Sequence, residues 1–180
     1  LLPTIQDWIR VRWAIVRGTL IGFVIGVLPG AGATIASFLS YATESKLSKH
    51  REEFGKGAIE GIVGPESANN AASAGAMVPM MTLGVPGSGT TAVLLGAFMM
   101  FGLQPGPLLF QNHPEFAWGV IASMYVGNMM LVVLNTIFIP TFVSVLKLPQ
   151  TILMPGILVL TIVGAYSLNK NMAEVWIMII

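Results

Sequence analysis

The sequence predicts an all-α integral membrane protein, a polytopic helical bundle interrupted by a re-entrant hairpin and by discontinuous helices. Three observations predict it. Hydrophobic residues make up 54% of the 180 residues and charged residues only 9%, with a mean hydropathy of +0.79, far from the balance of soluble domains. Charge-free runs cover 18–43, 67–114, 116–146 and 148–169, each longer than the roughly 20 residues that cross a hydrocarbon core and too long for a signal peptide. Two of these runs are broken by the same device, Pro29-Gly30-Ala31-Gly32-Ala33-Thr34 and Pro86-Gly87-Ser88-Gly89-Thr90-Thr91. Proline removes a backbone donor and glycine frees φ, so each motif unwinds a helix where lipid supplies no replacement partner.

The run 18–43 follows Arg10, Arg12 and Arg17 and precedes Lys46, Lys49, Arg51 and Lys56. Cationic flanks favour the cytoplasm, so both ends are expected on that side and the run is expected to enter and return. A break at Pro29-Gly30 leaves a first arm of about 16 Å, roughly half of the ~30 Å core. That suits a re-entrant hairpin; a single kinked span is the competing geometry. Gly18, Gly22 and Gly26 recur every fourth residue, a small face on which another helix can pack closely.

Residues 44–66 hold most of the charge, and Glu52, Lys56 and Glu60 recur opposite Phe54, Ala58, Ile59 and Ile62. The pattern predicts a cytoplasmic amphipathic helix with a solvated face. His50 belongs to this segment without a second ligand at metal spacing, and reads as solvent-exposed. Glu66, directly after Pro65, reads as an acidic partner for a helix N-terminus, with a proton or cation site as the alternative.

Residues 67–101 are expected to cross once as a broken helix. The stretch before the break is dense in small residues (Ala68, Ala71, Ala72, Ala74, Gly75, Ala76), and Met77, Met80, Met81, Met99 and Met100 offer adaptable packing. Residues 102–114 carry no Lys or Arg and suit the outer side. The runs 116–146 and 148–169 then read as transmembrane helices joined by an inner turn at Lys147-Leu148-Pro149, with Pro140 a kink or an end. Residues 172–180 read as the start of a further span. Trp8, Trp13, Trp118 and Trp176 suit interfacial belts. Leu1 is not an initiator and Ile180 ends inside an apolar run, so the chain reads as a fragment of a longer polypeptide. Without cysteine there are no disulfides or thiolate metal sites; a net charge of +1 is uninformative about partners, and no nucleic-acid partner is expected.

After each break a new helix begins, and helix starts expose unpaired N–H groups with partial positive charge that suit an anion. Candidate solute-binding residues are therefore Pro29, Gly30, Ala31, Gly32, Thr34 and Ser37 at the first break and Pro86, Gly87, Ser88, Gly89, Thr90 and Thr91 at the second. Asn69 and Asn70 are further candidates, with helix capping or interhelical bonding as the alternative. Oxygens of Leu28, Thr34, Val85 and Thr90 are candidate Na⁺ ligands. A neutral site of dipoles and hydroxyls also releases solute more readily than a buried arginine would.

The text from Gly26 to Ser37, then Gly64-Pro-Glu-Ser-Ala-Asn-Asn-Ala71, Gly84-Val-Pro-Gly-Ser-Gly-Thr-Thr91 and Gly102-Leu-Gln-Pro-Gly-Pro107, closely resembles the large membrane subunit of bacterial tripartite tricarboxylate transporters. The motifs lie within residues 17–110; the remainder resembles the family mainly in hydropathy. The family's members have two related halves, and this chain resembles the second. The resemblance implies a multi-pass protein of the bacterial inner membrane that takes up citrate or related carboxylates on an ion gradient. It implies a periplasmic solute-binding protein and a small membrane subunit as partners, with homo-oligomers open. Na⁺ is the expected coupling ion and H⁺ the alternative; relatives often carry histidine where this chain has Phe101, a departure that favours Na⁺. No other cofactor and no enzymatic activity are implied. The competing class is an ion or solute channel built on glycine-rich re-entrant loops, which normally needs a ring of identical filters. A hydrolase using Ser37 or Ser88 would need a base, and both histidines, His50 and His113, fall in loops.

Overall fold

The computed structural model describes residues 3–146, 148–170 and 172–179. All regular structure among them is helical: α1 (Ile5–Val27), α2 (Gly32–Leu47), a 3₁₀ turn at Arg51–Glu53, α3 (Glu60–Leu83), α4 (Gly89–Met100), α5 (Leu109–Asn112), α6 (Pro114–Leu146), α7 (Gln150–Asn169) and α8 (Met172–Ile179). The protein is thus all-α, as expected of a helical membrane protein. It divides into two compact units, Leu1–Val120 and Ile121–Ile180.

The first unit is organised by α1, α2 and α3. A capping box starts α1: the Thr4 hydroxyl accepts from the Asp7 N–H, and the Asp7 carboxylate accepts from the Thr4 N–H. Pro29 stops it, because the residue before a proline is pushed out of the helical region, and Leu28 is extended at φ −78°, ψ 122°. Gly30 and Gly32 then take positive φ, 81° and 68°, and the chain reverses into α2. The reversal brings the Arg17 guanidinium of α1 onto the Glu44 carboxylate near the end of α2, at 2.7 Å.

Helix α3 runs parallel to α1, and the two touch along their small faces. A Cβ placed on Gly18, Gly22 or Gly26 would stand 2.3, 2.1 and 2.3 Å from the carbonyl oxygens of Gly64, Ala68 and Ala72. Each step is four residues on both helices, so the backbones themselves form the interface. Ala36 of α2 joins Ala68 and Ala72 in the buried centre.

Beyond Leu83 the chain turns at Gly84 (φ 71°) and doubles back, so that Gly87 lies against Ala76. Ser88 and Thr91 form the capping box that starts α4. Met80, Met81, Phe98, Leu109 and Ala117 build a second core there, with Met77 packed against it; Met99 and Met100 face outward.

The segment 44–66 is not one amphipathic helix. Residues 44–47 finish α2, 51–53 form the 3₁₀ turn, and 60–66 open α3. Gly55 and Gly57, at φ 78° and 108°, interrupt any continuous helix. Glu60 is buried rather than solvated. Glu66 and the two asparagines therefore sit inside α3, since Pro65 lies within that helix and not at its start.

In the second unit α6 passes Pro140 without ending, and α7 and α8 follow. Residues 114–144 of α6 and 150–167 of α7 form helices long and apolar enough to cross a membrane. The expected inner turn falls partly on Lys147, which lies outside the described residues; Leu148 and Pro149 precede α7. Trp8, Trp13, Trp118 and Trp176 are all exposed.

The α1–α3 contact predicts different outcomes for two glycines on helix faces. Gly22→Ala drives a methyl into the Ala68 backbone and is expected to lower stability by about 1–3 kcal/mol, the usual cost of overpacking. Gly96→Ala, with nothing within 4 Å of its new Cβ, is expected to be neutral or stabilising. Thermal unfolding of the detergent-purified proteins checks this, and equal midpoints would contradict the backbone contact.

Candidate solute site at the paired helix breaks

The two proline-glycine motifs meet. The Gly30 N–H donates to the Gly87 carbonyl at 3.1 Å, and these glycines hold the same position in the two motifs. Gly87 is buried, and a Cβ there would lie 3.1 Å from both the Gly26 carbonyl oxygen and the Ala76 methyl. A residue with a side chain would separate the breaks. The first N–H groups of α2 and of α4 follow two residues beyond the bonded pair, so two positively polarised helix starts flank one hydrogen bond.

The two starts differ in how they are finished. At α4 the Ser88 hydroxyl accepts from the Thr91 N–H at 3.2 Å, and the Thr91 hydroxyl accepts from the Ser88 N–H at 2.8 Å and bonds the Ser88 carbonyl at 2.9 Å. Thr91 is buried, and both hydroxyls serve the cap. At α2 the N-cap is Ala31, with no side chain to bond the first amides. Ser37, expected as a solute hydroxyl, donates within the protein to the carbonyls of Ala33 and Pro65 at 3.0 and 3.3 Å.

Thr34 and Thr90 are exposed at the starts of α2 and α4, and their hydroxyls make no hydrogen bond within the described protein. Pro29, Gly30 and Gly89 are also exposed, and Ala31, Gly32 and Pro86 half-buried. The Leu28 carbonyl accepts from the Ala31 N–H, and the Val85 N–H donates to the Pro79 carbonyl. The oxygens of Leu28, Val85, Thr34 and Thr90 are neutral hard donors, the chemistry that suits Na⁺. Among the described residues no group of three His, Cys, Asp or Glu side chains forms a transition-metal site.

The asparagines are placed differently from the breaks. Asn70 lines, with Glu66, Asp7 and Trp8, a largely apolar cavity of about 430 Å³ between α1 and α3. Asn69 is half-buried one turn away from Ser73, whose hydroxyl bonds its carbonyl. Phe101 is exposed at the end of α4.

The sequence profile described as the tripartite tricarboxylate transporter TctA family matches residues 1–180. The chain belongs to this family. Two relatives from Agrobacterium vitis illustrate the similarity. An uncharacterized 52.8 kDa protein in the TAR-I ttuC' 3' region is 46% identical over 175 residues, 97% of this chain and 35% of the relative. An uncharacterized protein in the TAR-II ttuC' 3' region is 46% identical over 159 residues, 88% of this chain and 66% of the relative. The chain thus spans less than two thirds of either relative's length. No solved structure matches it.

In this TctA-family chain a second polar constellation lies away from the breaks, between Arg10 and Arg17 of α1. Arg17 grips Glu44 through two bonds of 2.7 Å, and the Glu44 side chain is fully buried. Arg10 bonds Glu60 at 2.8 and 2.9 Å and also Glu53, while the His50 ring nitrogen Nδ1 lies 3.0 Å from the same Glu60. His50 is therefore half-buried and engaged rather than free in solvent. Burial pushes the Glu60 carboxyl up, but the Arg10 guanidinium, a backbone hydrogen bond and the His50 ring outweigh it and hold the carboxyl below its ordinary range. Reading the two charged flanks only as topology signals missed these pairs. Their signal was available, because in a hairpin the residues just before and just after the run, Arg17 and Glu44, must be neighbours.

Removing Arg17 leaves a buried carboxylate without compensation, whereas removing both partners leaves none. Arg17→Ala is therefore expected to destabilise the protein more than the Arg17→Ala/Glu44→Ala double variant. Thermal unfolding of the two singles and the double checks this. Additive losses would contradict the pairing.

Proposed function

We propose that the chain forms the solute-handling core of a membrane permease that takes up tricarboxylates such as citrate, or related carboxylates, on an ion gradient. In this reading it is a multi-pass component of the bacterial inner membrane, served by a periplasmic solute-binding protein and accompanied by a small membrane subunit. Membership of the TctA family supports the transport class. The observation that carries the site is the hydrogen bond between Gly30 and Gly87, which sets two helix starts beside each other.

Each helix N-terminus carries roughly half a positive charge. Two together offer about one unit against a carboxylate, without a buried cation that would need desolvation. The uncapped amides of α2 accept carboxylate oxygens, and the glycines let the solute approach the backbone. The solute is then held by dipoles that it leaves as readily as it enters, as turnover requires.

Na⁺ is the proposed coupling ion. At the breaks there is no titratable side chain, and Phe101 brings none, so proton coupling has no acceptor there. The Leu28 and Val85 carbonyls and the Thr34 and Thr90 hydroxyls are the proposed ligands. A cation among them neutralises the approaching solute, so each ligand strengthens the binding of the other by the same factor.

Radiolabelled citrate uptake by the complete complex tests this, with the binding protein present or absent and Na⁺ replaced by choline. Thr34→Ala and Thr90→Ala remove hydroxyls with no structural partner, and so are expected to leave folding intact. Each is expected to raise the half-saturating Na⁺ concentration about fivefold, equivalent to about 1 kcal/mol per lost ligand, with a matching loss of citrate affinity. Unchanged Na⁺ dependence in both variants would remove these residues from the ion site, and uptake indifferent to choline would remove Na⁺.

A further inference from the structure

A cavity of about 500 Å³ opens beside the N-terminal half of α1, walled by the 47–50 segment. Its charge is unbalanced. Arg10 and Arg17 line it while their Nε and Nη2 atoms hold Glu60, Glu53 and Glu44, and their Nη1 groups have no partner among the described residues. Arg12 and Lys49 also line it, are exposed, and make no ion pair among the described residues. Glu60, the carboxylate that lines the cavity, is thus already committed to Arg10, and two further cations face the cavity without an ion pair among the described residues.

The lining also has an apolar part. Ile9, Trp13 and Leu47 line the cavity and are each more than half exposed, and the Arg12 guanidinium lies 5.8 Å from the Trp13 ring centroid. From this mouth an exposed apolar stripe continues along α1 through Val16, Leu20 and Val24, at the three- and four-residue steps of one helix face. From Trp13 to Val24 the helix rises about 16 Å, the depth of about one leaflet of a ~30 Å core. A cationic recess leading into an apolar track of one leaflet's length matches a phospholipid, headgroup first and acyl chains after. A free phosphate would use only the recess.

We infer that this cavity binds the phosphate-bearing headgroup of an anionic phospholipid, with Arg12 and Lys49 as its main electrostatic contacts and the α1 stripe receiving an acyl chain. The lipid sits at the charged end of the α1–α2 hairpin, against the Arg17–Glu44 and Arg10–Glu60 pairs. Each basic residue near an anionic headgroup strengthens its binding about fivefold, so the recess selects by charge. Selection of this kind is independent of the solute that the helix breaks handle.

The test uses the full-length protein in its complex, reconstituted with dibrominated phosphatidylglycerol or dibrominated phosphatidylcholine. Trp13 quenching is obtained as the difference between the native protein and Trp13→Phe. The expected result is an association constant roughly thirtyfold higher for phosphatidylglycerol, about fivefold from each of the two cations, lost for the most part in Arg12→Gln/Lys49→Gln and retained in Arg12→Lys. Both side chains replaced in the double variant are exposed and make no ion pair among the described residues, so the fold is expected to persist, and thermal unfolding verifies it. Equal quenching by the two lipids would overturn the inference, as would a preference that survives in the double variant. Millimolar inorganic phosphate is expected not to compete; displacement by phosphate without headgroup preference would assign the recess to a free anion and overturn the lipid.

Discussion

The contact of α1 with α3 through bare backbone at Gly18, Gly22 and Gly26 is the constraint on which the remaining geometry rests. Methyl groups at these positions would push the helices apart, because the facing carbonyls of Gly64, Ala68 and Ala72 already occupy the space. Lipid tails are as apolar as leucine, so burying apolar surface gives helices in a membrane little reason to associate. Close van der Waals approach gives them one. The same four-residue register, continued by one turn, brings Gly26 beside Gly75 and Gly87. Only then can the Gly30 N–H reach the Gly87 carbonyl.

That arrangement separates two kinds of electrostatics along α1. At the breaks the polar groups are neutral: backbone amides, carbonyls and hydroxyls. At the other end the groups are fully charged and paired, Arg17 with Glu44 and Arg10 with Glu60 and Glu53. Charged pairs suit a fixed structural clasp, since breaking one leaves an uncompensated buried ion. Neutral dipoles suit a site that must bind and release. The hairpin thus holds its ends firmly and leaves its tip chemically mild.

Much of this was legible in the residues. Proline followed by glycine announces an unwound helix wherever it occurs in an apolar run, and two copies in one register announce a pair. The Gly18-Gly22-Gly26 stripe announced a close helix contact, though its partner needed the fold. The part that Ser88 and Thr91 play in the fold needed the structure, in which the pair satisfies the first amides of α4. Ser37 likewise bonds carbonyls of its own and the neighbouring helix. The amphipathic reading of 44–66 failed for a different reason: periodic charge is necessary for a surface helix but does not survive Gly55 and Gly57 at positive φ. Buried Glu44 and Glu60 show that a charged flank can be interior when its partner lies on the other arm.

The central claim is that Pro29-Gly30 and Pro86-Gly87 form one site. Its most direct test is cross-linking of Ala31→Cys to Ser88→Cys with a short bifunctional thiol reagent, in a full-length protein whose other cysteines have been removed and within the assembled complex. Rapid cross-linking within one chain is expected, slowed by the transported carboxylate and abolishing uptake once formed. Absence of an intrachain cross-link, or cross-linking at a rate indifferent to carboxylate with uptake intact, would contradict it.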